Sequence, residues 1–161
     1  MTAVGTIIFS ILVPGTWTVL VPYLLLASNF ELFPIETGPL RFLGLIPIIV
    51  GIQFYLWCAW GFTFLGKGTP APIAPPKNLV IKGLYRHVRN PMYVGVLLIL
   101  FGEALLFKSA TLFLYAGLAF VIFHTAIVYY EEPTLRRKFT DSYERYCNSV
   151  PRWIPRLRQE E

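Results

Sequence analysis

Long apolar stretches alternate with short polar ones along this chain. Four stretches are almost wholly apolar, at about residues 3–27, 42–65, 93–107 and 112–130. A helix that spans a bilayer needs roughly 17–25 apolar residues, so the first, second and fourth stretches are long enough. The third is short and contains Glu103. It could be extended by its flanks, it could pair with the fourth stretch as a tight hairpin through Lys108 and Ser109, or it could lie as an interfacial or re-entrant helix.

The tail that follows the fourth stretch is polar on one side only. Its apolar residues recur at spacings of three and four, as on one face of a helix: Leu135, Phe139, Tyr143 and Tyr146. We expect an amphipathic helix over about residues 131–148 that lies along the membrane surface or covers the mouth of the bundle. Pro133 indicates that this helix starts anew after a bend. Glu132 and Arg136 have the spacing of an ion pair.

Composition agrees with a bilayer as the solvent. Charged residues make up 14% of the chain and hydrophobic residues 55%, whereas soluble domains carry about 25% charged residues. The mean hydropathy is +0.57. The pattern therefore predicts an all-α membrane protein, a single domain over residues 1–161. It is a bundle of about four transmembrane helices with a cytoplasmic C-terminal amphipathic helix.

Charge sets the expected orientation. Lys and Arg number 14 against 9 acidic residues, and they concentrate in the loop at residues 66–91 and in the tail at residues 131–161. The positive-inside rule puts both regions, and hence both termini, in the cytoplasm. Contact with anionic membrane lipids explains the basic charge better than nucleic acid does. Cys58 and Cys147 lie far apart, so neither a disulfide framework nor a metal site is expected.

Two polar blocks at the cytoplasmic end are candidates for chemistry. One covers residues 77–95 and the other is the pair Glu131–Glu132. Ionisable residues near membrane depth are functional candidates. In the first block Gly83 permits a turn, and Asn90 can cap a helix that begins at Pro91. The alternative is a capped interfacial helix whose arginines contact lipid phosphates.

His124 lies inside the fourth stretch, seven residues before Glu131, so the two share a helix face. A lone histidine on an apolar helix is either a hydrogen-bonded structural residue or a catalyst. The sequence contains no G-x-G-x-x-G after a strand, no G-x-x-x-x-G-K-[ST] and no H-E-x-x-H, so the usual nucleotide and zinc-protease signatures are absent.

The first block is recognisable as a motif. Residues 83–95, GLYRHVRNPMYVG, resemble the G-x-Y-x-x-x-R-[HN]-P-x-Y-x-G signature of the isoprenylcysteine carboxyl methyltransferase family and its phospholipid methyltransferase relatives. Glu131–Glu132, the apolar residues of the tail helix and the later prolines resemble a second block of that family. The resemblance covers about residues 77–156.

The resemblance implies that S-adenosylmethionine is the methyl donor, held at the cytoplasmic side. Glu131 is expected to hold its amino group. Carried over residue by residue, the cofactor-binding positions are Lys77, Asn78, Leu79, Val80, Tyr85, Asn90, Pro91, Met92, Tyr93 and Glu131. The candidate catalytic residues are Glu132, Arg89 and His124, and either Glu132 or His124 could act as the base for an amine acceptor.

Two positions depart from the carboxyl methyltransferases. Asn90 stands where those enzymes usually have histidine, and Asn cannot titrate. Ile127 stands where they carry a substrate-binding arginine. The expected partner is therefore a lipophilic small molecule or lipidated substrate, either isoprenylcysteine-like or a phospholipid amine or other small lipid. The remaining alternative is a non-enzymatic membrane scaffold or small transporter.

Overall fold

The computed structural model describes residues 2–36, 38–64, 79 and 81–155, and the regular elements in these ranges are helices. The apolar stretches of the sequence correspond to the first five α-helices. The tail corresponds to the sixth, which is kinked at Thr140 (φ +42°, ψ −119°). Their bounds are α1 Thr2–Leu12, α2 Val21–Ala27, α3 Leu45–Phe64, α4 Pro91–Leu106, α5 Ala110–Ala126 and α6 Glu132–Ser149.

Turns of other helical types connect these α-helices. A π-helical turn at Thr16–Leu20 leads into α2, and a second one at Ile127–Glu131 joins α5 to α6. Short 3-10 helices at Gly38–Gly44 and Gly83–Arg86 precede α3 and α4. The predicted start of a new helix with Pro133 in its first turn is confirmed, because α6 begins at Glu132 after the π-turn.

Among the residues that the structure describes, three helical segments are long and apolar enough to cross a membrane: Ile7–Ala27, Gly38–Gly61 and Ala110–Ser149. Helix α4 has 16 residues, about 24 Å at the usual rise, which is less than the roughly 30 Å of a bilayer core. Large apolar side chains such as Ile11, Leu24 and Leu118 are exposed on the outside of the bundle. The all-helical membrane fold is therefore confirmed, and the count of four spans stays a prediction.

The shortest of the predicted spans lies at the centre of the core. Helix α4 buries seven residues along its length. The main cluster joins α4 to α3 and α5, with these buried members: Tyr55, Val96, Leu97, Leu100, Ala116, Ala119 and Phe123. Helix α4 is thus covered by neighbouring helices, which explains how a segment of limited length is accommodated.

Helix α4 approaches α3, and the 3-10 helix that precedes α3, at glycines. A Cβ atom built on Gly51 would lie 2.4 Å from the carbonyl oxygen of Gly95, and one on Gly44 would lie 2.4 Å from that of Gly102. No side chain fits at these crossings, so the two backbones are in direct contact. This contact sets the depth of the start of α4, which carries the signature motif.

The turn between α4 and α5 is tied to the loop after α2. Ser109 caps α5 by accepting a hydrogen bond from the Leu112 amide at 3.1 Å. Glu31 accepts hydrogen bonds from the Ser109 hydroxyl at 2.8 Å and the Thr111 amide at 3.0 Å. A carboxylate at a helix N-terminus is stabilised by the helix dipole. The α4–α5 hairpin that was one of the alternatives for the third stretch is therefore present.

We predict that Gly51→Ala destabilises the bundle. The added methyl group would meet the Gly95 carbonyl, and overpacking of this kind costs about 1–3 kcal/mol. Gly117→Ala is the matched control, because a Cβ at that position meets nothing within 4 Å and alanine is the better helix former. Chemical unfolding in detergent micelles, followed by circular dichroism, measures both. Equal effects for the two variants would contradict the direct backbone contact.

Candidate active site

The two polar blocks meet at one end of the bundle. The Tyr93 hydroxyl, near the start of α4, donates a hydrogen bond to the Glu131 carboxylate. The Arg89 Nη1 atom lies 3.1 Å from Glu132 Oε1. The signature motif and the paired glutamates are therefore in direct contact.

The signature motif makes a turn and then starts a helix. Gly83 has a φ of +60°, a conformation that glycine adopts without strain, and Pro91 opens α4. Asn90 occupies the N-cap position, but its side chain makes no capping hydrogen bond. Its Nδ2 atom instead donates to the carbonyl oxygen of Arg152 at 3.2 Å. The predicted cap is therefore wrong: Asn90 is bound to the segment after α6, and its side chain accepts no hydrogen bond from the first turn of α4.

Glu132 is buried and paired with two arginines. It is 5% exposed, and Arg152 holds both of its oxygens, with Nε to Oε1 at 2.7 Å and Nη2 to Oε2 at 3.0 Å. The predicted pair of Glu132 with Arg136 does not form a contact; Arg136 pairs with Glu144 at 3.0 Å on the exposed side of α6. Burial favours the protonated acid. The hydrogen bond from Arg152 and the charges of Arg89 and Arg152 outweigh it, so the pKa of Glu132 is lowered.

Glu131, its neighbour, has a different environment. Its carboxylate accepts the hydrogen bond from Tyr93. Within the described ranges no Lys or Arg nitrogen lies within 4.0 Å of it. Burial raises the pKa of Glu131, the Tyr93 hydrogen bond opposes that effect, and the charge of Glu132 adds to it. A half-buried carboxylate without a counter-charge favours the binding of a cation.

The segment after α6 folds back over the site. The Pro151 carbonyl accepts a hydrogen bond from the Arg89 amide at 2.9 Å. The Trp153 indole donates to Nδ1 of His124 at 3.1 Å, and its ring lies 5.0 Å from that of Phe120. His124 thus makes a structural hydrogen bond, which was one of the two alternatives for this residue. A catalytic role for His124 stays a prediction.

Sequence reasoning missed Arg152 and Trp153 as members of the site. The signal that was available is the pair Pro151 and Pro155, which ends α6 and leaves a short non-helical segment between them. Nothing in the sequence distinguishes Arg152 from the other arginines of the tail.

The other predicted cofactor residues lie around the same corner. Leu79 packs against the buried cluster of Tyr143, Tyr146 and Val150 on the apolar face of α6. Pro91 is buried, and Met92 packs against the main core. Lys77, Asn78 and Val80 lie outside the described residues.

Tyr85 links the signature turn to two neighbouring elements. Its carbonyl oxygen accepts a hydrogen bond from the Tyr146 hydroxyl at 2.7 Å, and its side chain hydrogen-bonds with Cys58 of α3. It also lines a small cavity, together with Trp57, Cys58, Gly61, Lys82, Gly83 and Leu84. Three or more His, Cys, Asp or Glu side chains in a metal-binding arrangement do not occur in the described part of the chain.

Fold and site together define a helical membrane protein with a carboxylate site where a signature turn meets the end of the last apolar helix. The family model of phospholipid methyltransferase matches residues 40–142, so the chain belongs to that family. The matched range contains the α3–α4 contact, the signature motif and both glutamates; Arg152 and Trp153 lie beyond it.

Two curated relatives are similar in sequence. The nickel-cobalt-cadmium resistance protein NccN of Alcaligenes xylosoxydans xylosoxydans is 27% identical over 148 residues, which are 89% of this chain and 64% of that protein. The protein-S-isoprenylcysteine O-methyltransferase of Schizosaccharomyces pombe (strain 972 / ATCC 24843) is 36% identical over 77 residues, 48% of this chain and 33% of that protein. The chain thus spans less than two thirds of the length of either relative. No solved structure matches it.

We predict that Glu132→Gln lowers the free energy of unfolding by about 3 kcal/mol, because it leaves two arginines without their shared carboxylate. Glu144→Gln is the matched control: it removes an exposed pair with Arg136, worth less than about 1 kcal/mol. Denaturant unfolding in micelles compares the two, and similar losses would contradict a buried ion pair.

The pH dependence of the same variants gives a second measurement. Because the pKa of Glu132 is lowered from its ordinary value of 4.5, its stabilisation is complete above that pH and is lost as the pH falls through the folded value. The Glu132→Gln variant should lack this component of acid destabilisation.

Proposed function

We propose that this chain transfers a methyl group from S-adenosylmethionine to a lipophilic acceptor at the cytoplasmic face of a membrane. The observation that carries the proposal is the Glu131–Tyr93 pair beside the ion-paired Glu132, in a chain of the phospholipid methyltransferase family. Membrane lipids and a lipid or lipidated acceptor are the partners that this function implies.

The residues at the site fit the proposed donor. S-adenosylmethionine supplies an activated methyl group, whose bond to sulfur breaks as the bond to the acceptor forms. Its amino group is cationic, and Glu131 is a carboxylate without a cation of its own in the described structure. Glu131, Tyr93 and Asn90 would hold it, with Tyr85 and Leu79 beside them. Asn90 uses its Nδ2 on Arg152, so its Oδ1 is the atom it can offer as an acceptor.

The contacts of Arg89 and Glu132 support a positioning task for these two candidate catalytic residues. Arg89 and Glu132 hold each other across the start of α4 and the start of α6, which keeps the two motifs together. Aligning two reactants and excluding water can contribute roughly 7–11 kcal/mol to a displacement reaction. We assign that contribution to this rigid corner, and no acid–base step of Glu132 is needed for it.

The acceptor in this proposal is a lipid, and base treatment of the methylated product distinguishes an oxygen acceptor from a nitrogen acceptor. The carboxyl methyltransferases that this chain resembles carry an arginine at the position of Ile127. Ile127 is 1% exposed. Both Arg89 and Arg152 are paired with Glu132. An acceptor carboxylate would therefore need a cation from another part of the chain, whereas a neutral amine would need none.

Methyl transfer is tested on protein purified in detergent, with radiolabelled S-adenosylmethionine and a total lipid extract. We expect label to appear in the lipid fraction. Treatment with base then separates the acceptors, because methyl esters are hydrolysed and N-methyl groups are retained. Absence of both donor binding and transfer would contradict the proposal and favour a scaffold or transporter.

We predict that Glu131→Gln weakens donor binding about 10-fold or more, because a hydrogen bond to a charged group contributes about 1.5–3 kcal/mol. Glutamine has the same shape and can still accept the Tyr93 hydrogen bond, so the fold should be kept. Glu36→Gln, on the exposed loop before α3, is the matched control. Titration calorimetry measures both, and unchanged binding by Glu131→Gln would remove its role.

A further inference from the structure

The two adjacent glutamates are provided with cations unequally. Glu132 contacts both Arg89 and Arg152, whereas Glu131 contacts Tyr93 and has no cation within 4.0 Å in the residues described. Two carboxylates next to each other in the chain would otherwise share the nearby positive charge. The partition of charge between them therefore needs a structural cause.

Arg152 is the residue that contacts both halves of the site. Its guanidinium holds both oxygens of Glu132 in a bidentate pair, at 2.7 and 3.0 Å. Its carbonyl oxygen accepts the hydrogen bond from Asn90 Nδ2 at 3.2 Å. The preceding residue, Pro151, accepts a hydrogen bond from the Arg89 amide at 2.9 Å. A planar guanidinium is suited to such a two-point contact with a carboxylate.

We propose that Arg152 is a positioning residue for the donor site: by binding Glu132 and fixing the Asn90 amide, it leaves Glu131 as the carboxylate that is open to the cationic ligand. This inference rests on the proposed function. It adds a residue that lies outside the part of the chain matched by the family. Arg152 acts through Glu132 and Asn90, and no contact between it and the ligand is required.

The electrostatics around Glu131 give the inference a measurable consequence. Tyr93 faces Glu131 from α4, Tyr85 interacts with it from the signature turn, and Glu132 lies beside it at the start of α6. The charge of Glu132 raises the pKa of Glu131, and Arg152 balances part of that charge. Without Arg152, Glu131 would hold its proton to a higher pH. The pH below which a cationic ligand no longer binds would then rise.

The experiment measures binding of S-adenosylhomocysteine, the demethylated donor, by titration calorimetry across the acidic pH range. For Arg152→Gln we expect the loss of binding on acidification to occur about 0.5–1 pH unit higher than in the wild type. Arg152→Lys keeps the positive charge, so the pH at which it loses binding should return most of the way to the wild-type value. Arg137→Gln is the matched control, since Arg137 is exposed on the same helix and is not among the charges that act on Glu132, and it should behave as the wild type.

A double variant tests whether Arg152 acts through Glu132. In Glu132→Gln/Arg152→Gln both charges are absent, so the acidic limit of binding should return to the wild-type pH or below it. If the double variant loses binding at a pH as high as Arg152→Gln alone does, Arg152 does not act through Glu132 and the proposal is overturned. The double variant also keeps the test usable if Arg152→Gln does not fold.

Two further outcomes are distinguishable. A wild-type chain that binds no S-adenosylhomocysteine would contradict the proposed function itself. If the wild type binds and Arg152→Gln weakens binding equally at every pH, Arg152 has a structural role only, and the inference is wrong.

Discussion

The site depends on a buried carboxylate that must be neutralised. A charge removed from water is costly unless cations and hydrogen bonds replace its hydration. Glu132 obtains them from Arg89, 43 residues before it in the chain, and from Arg152, 20 residues after it. Satisfying this carboxylate brings together the start of α4, the start of α6 and the segment after α6. Asn90, Tyr93 and Glu131 are placed where they are because those three parts of the chain are held in contact.

Packing supplies the frame in which the ion pairs form. Helix α4 is short for a membrane span, yet it is enclosed by α3 and α5 and is in direct backbone contact with α3 at Gly51 and Gly95. A helix held this closely cannot slide along its neighbour, so the first turn of α4 keeps its depth relative to α3. Apolar packing thus sets the depth of the site, and the polar contacts select which side chains face one another.

Local sequence rules and tertiary contacts disagreed at two places. Helix spacing predicted a pair between Glu132 and Arg136, and the N-cap position of Asn90 predicted a cap. In the first case the buried Glu132 pairs with Arg89 and Arg152 instead, because an ion pair partly shielded from water is stronger than one in water. In the second, Asn90 Nδ2 donates to the carbonyl oxygen of Arg152, and the side chain makes no cap.

The order and type of the elements followed from the sequence, because helix formation in a bilayer is governed by apolar length, which is a local property. The meeting of the two motifs was also predictable, from the charge that places both at one membrane face. The tertiary structure alone decided that Arg152 and Trp153 complete the site and that the cations go to Glu132 and not to Glu131. Those choices depend on distances between residues far apart in the chain, and on burial that no local pattern encodes.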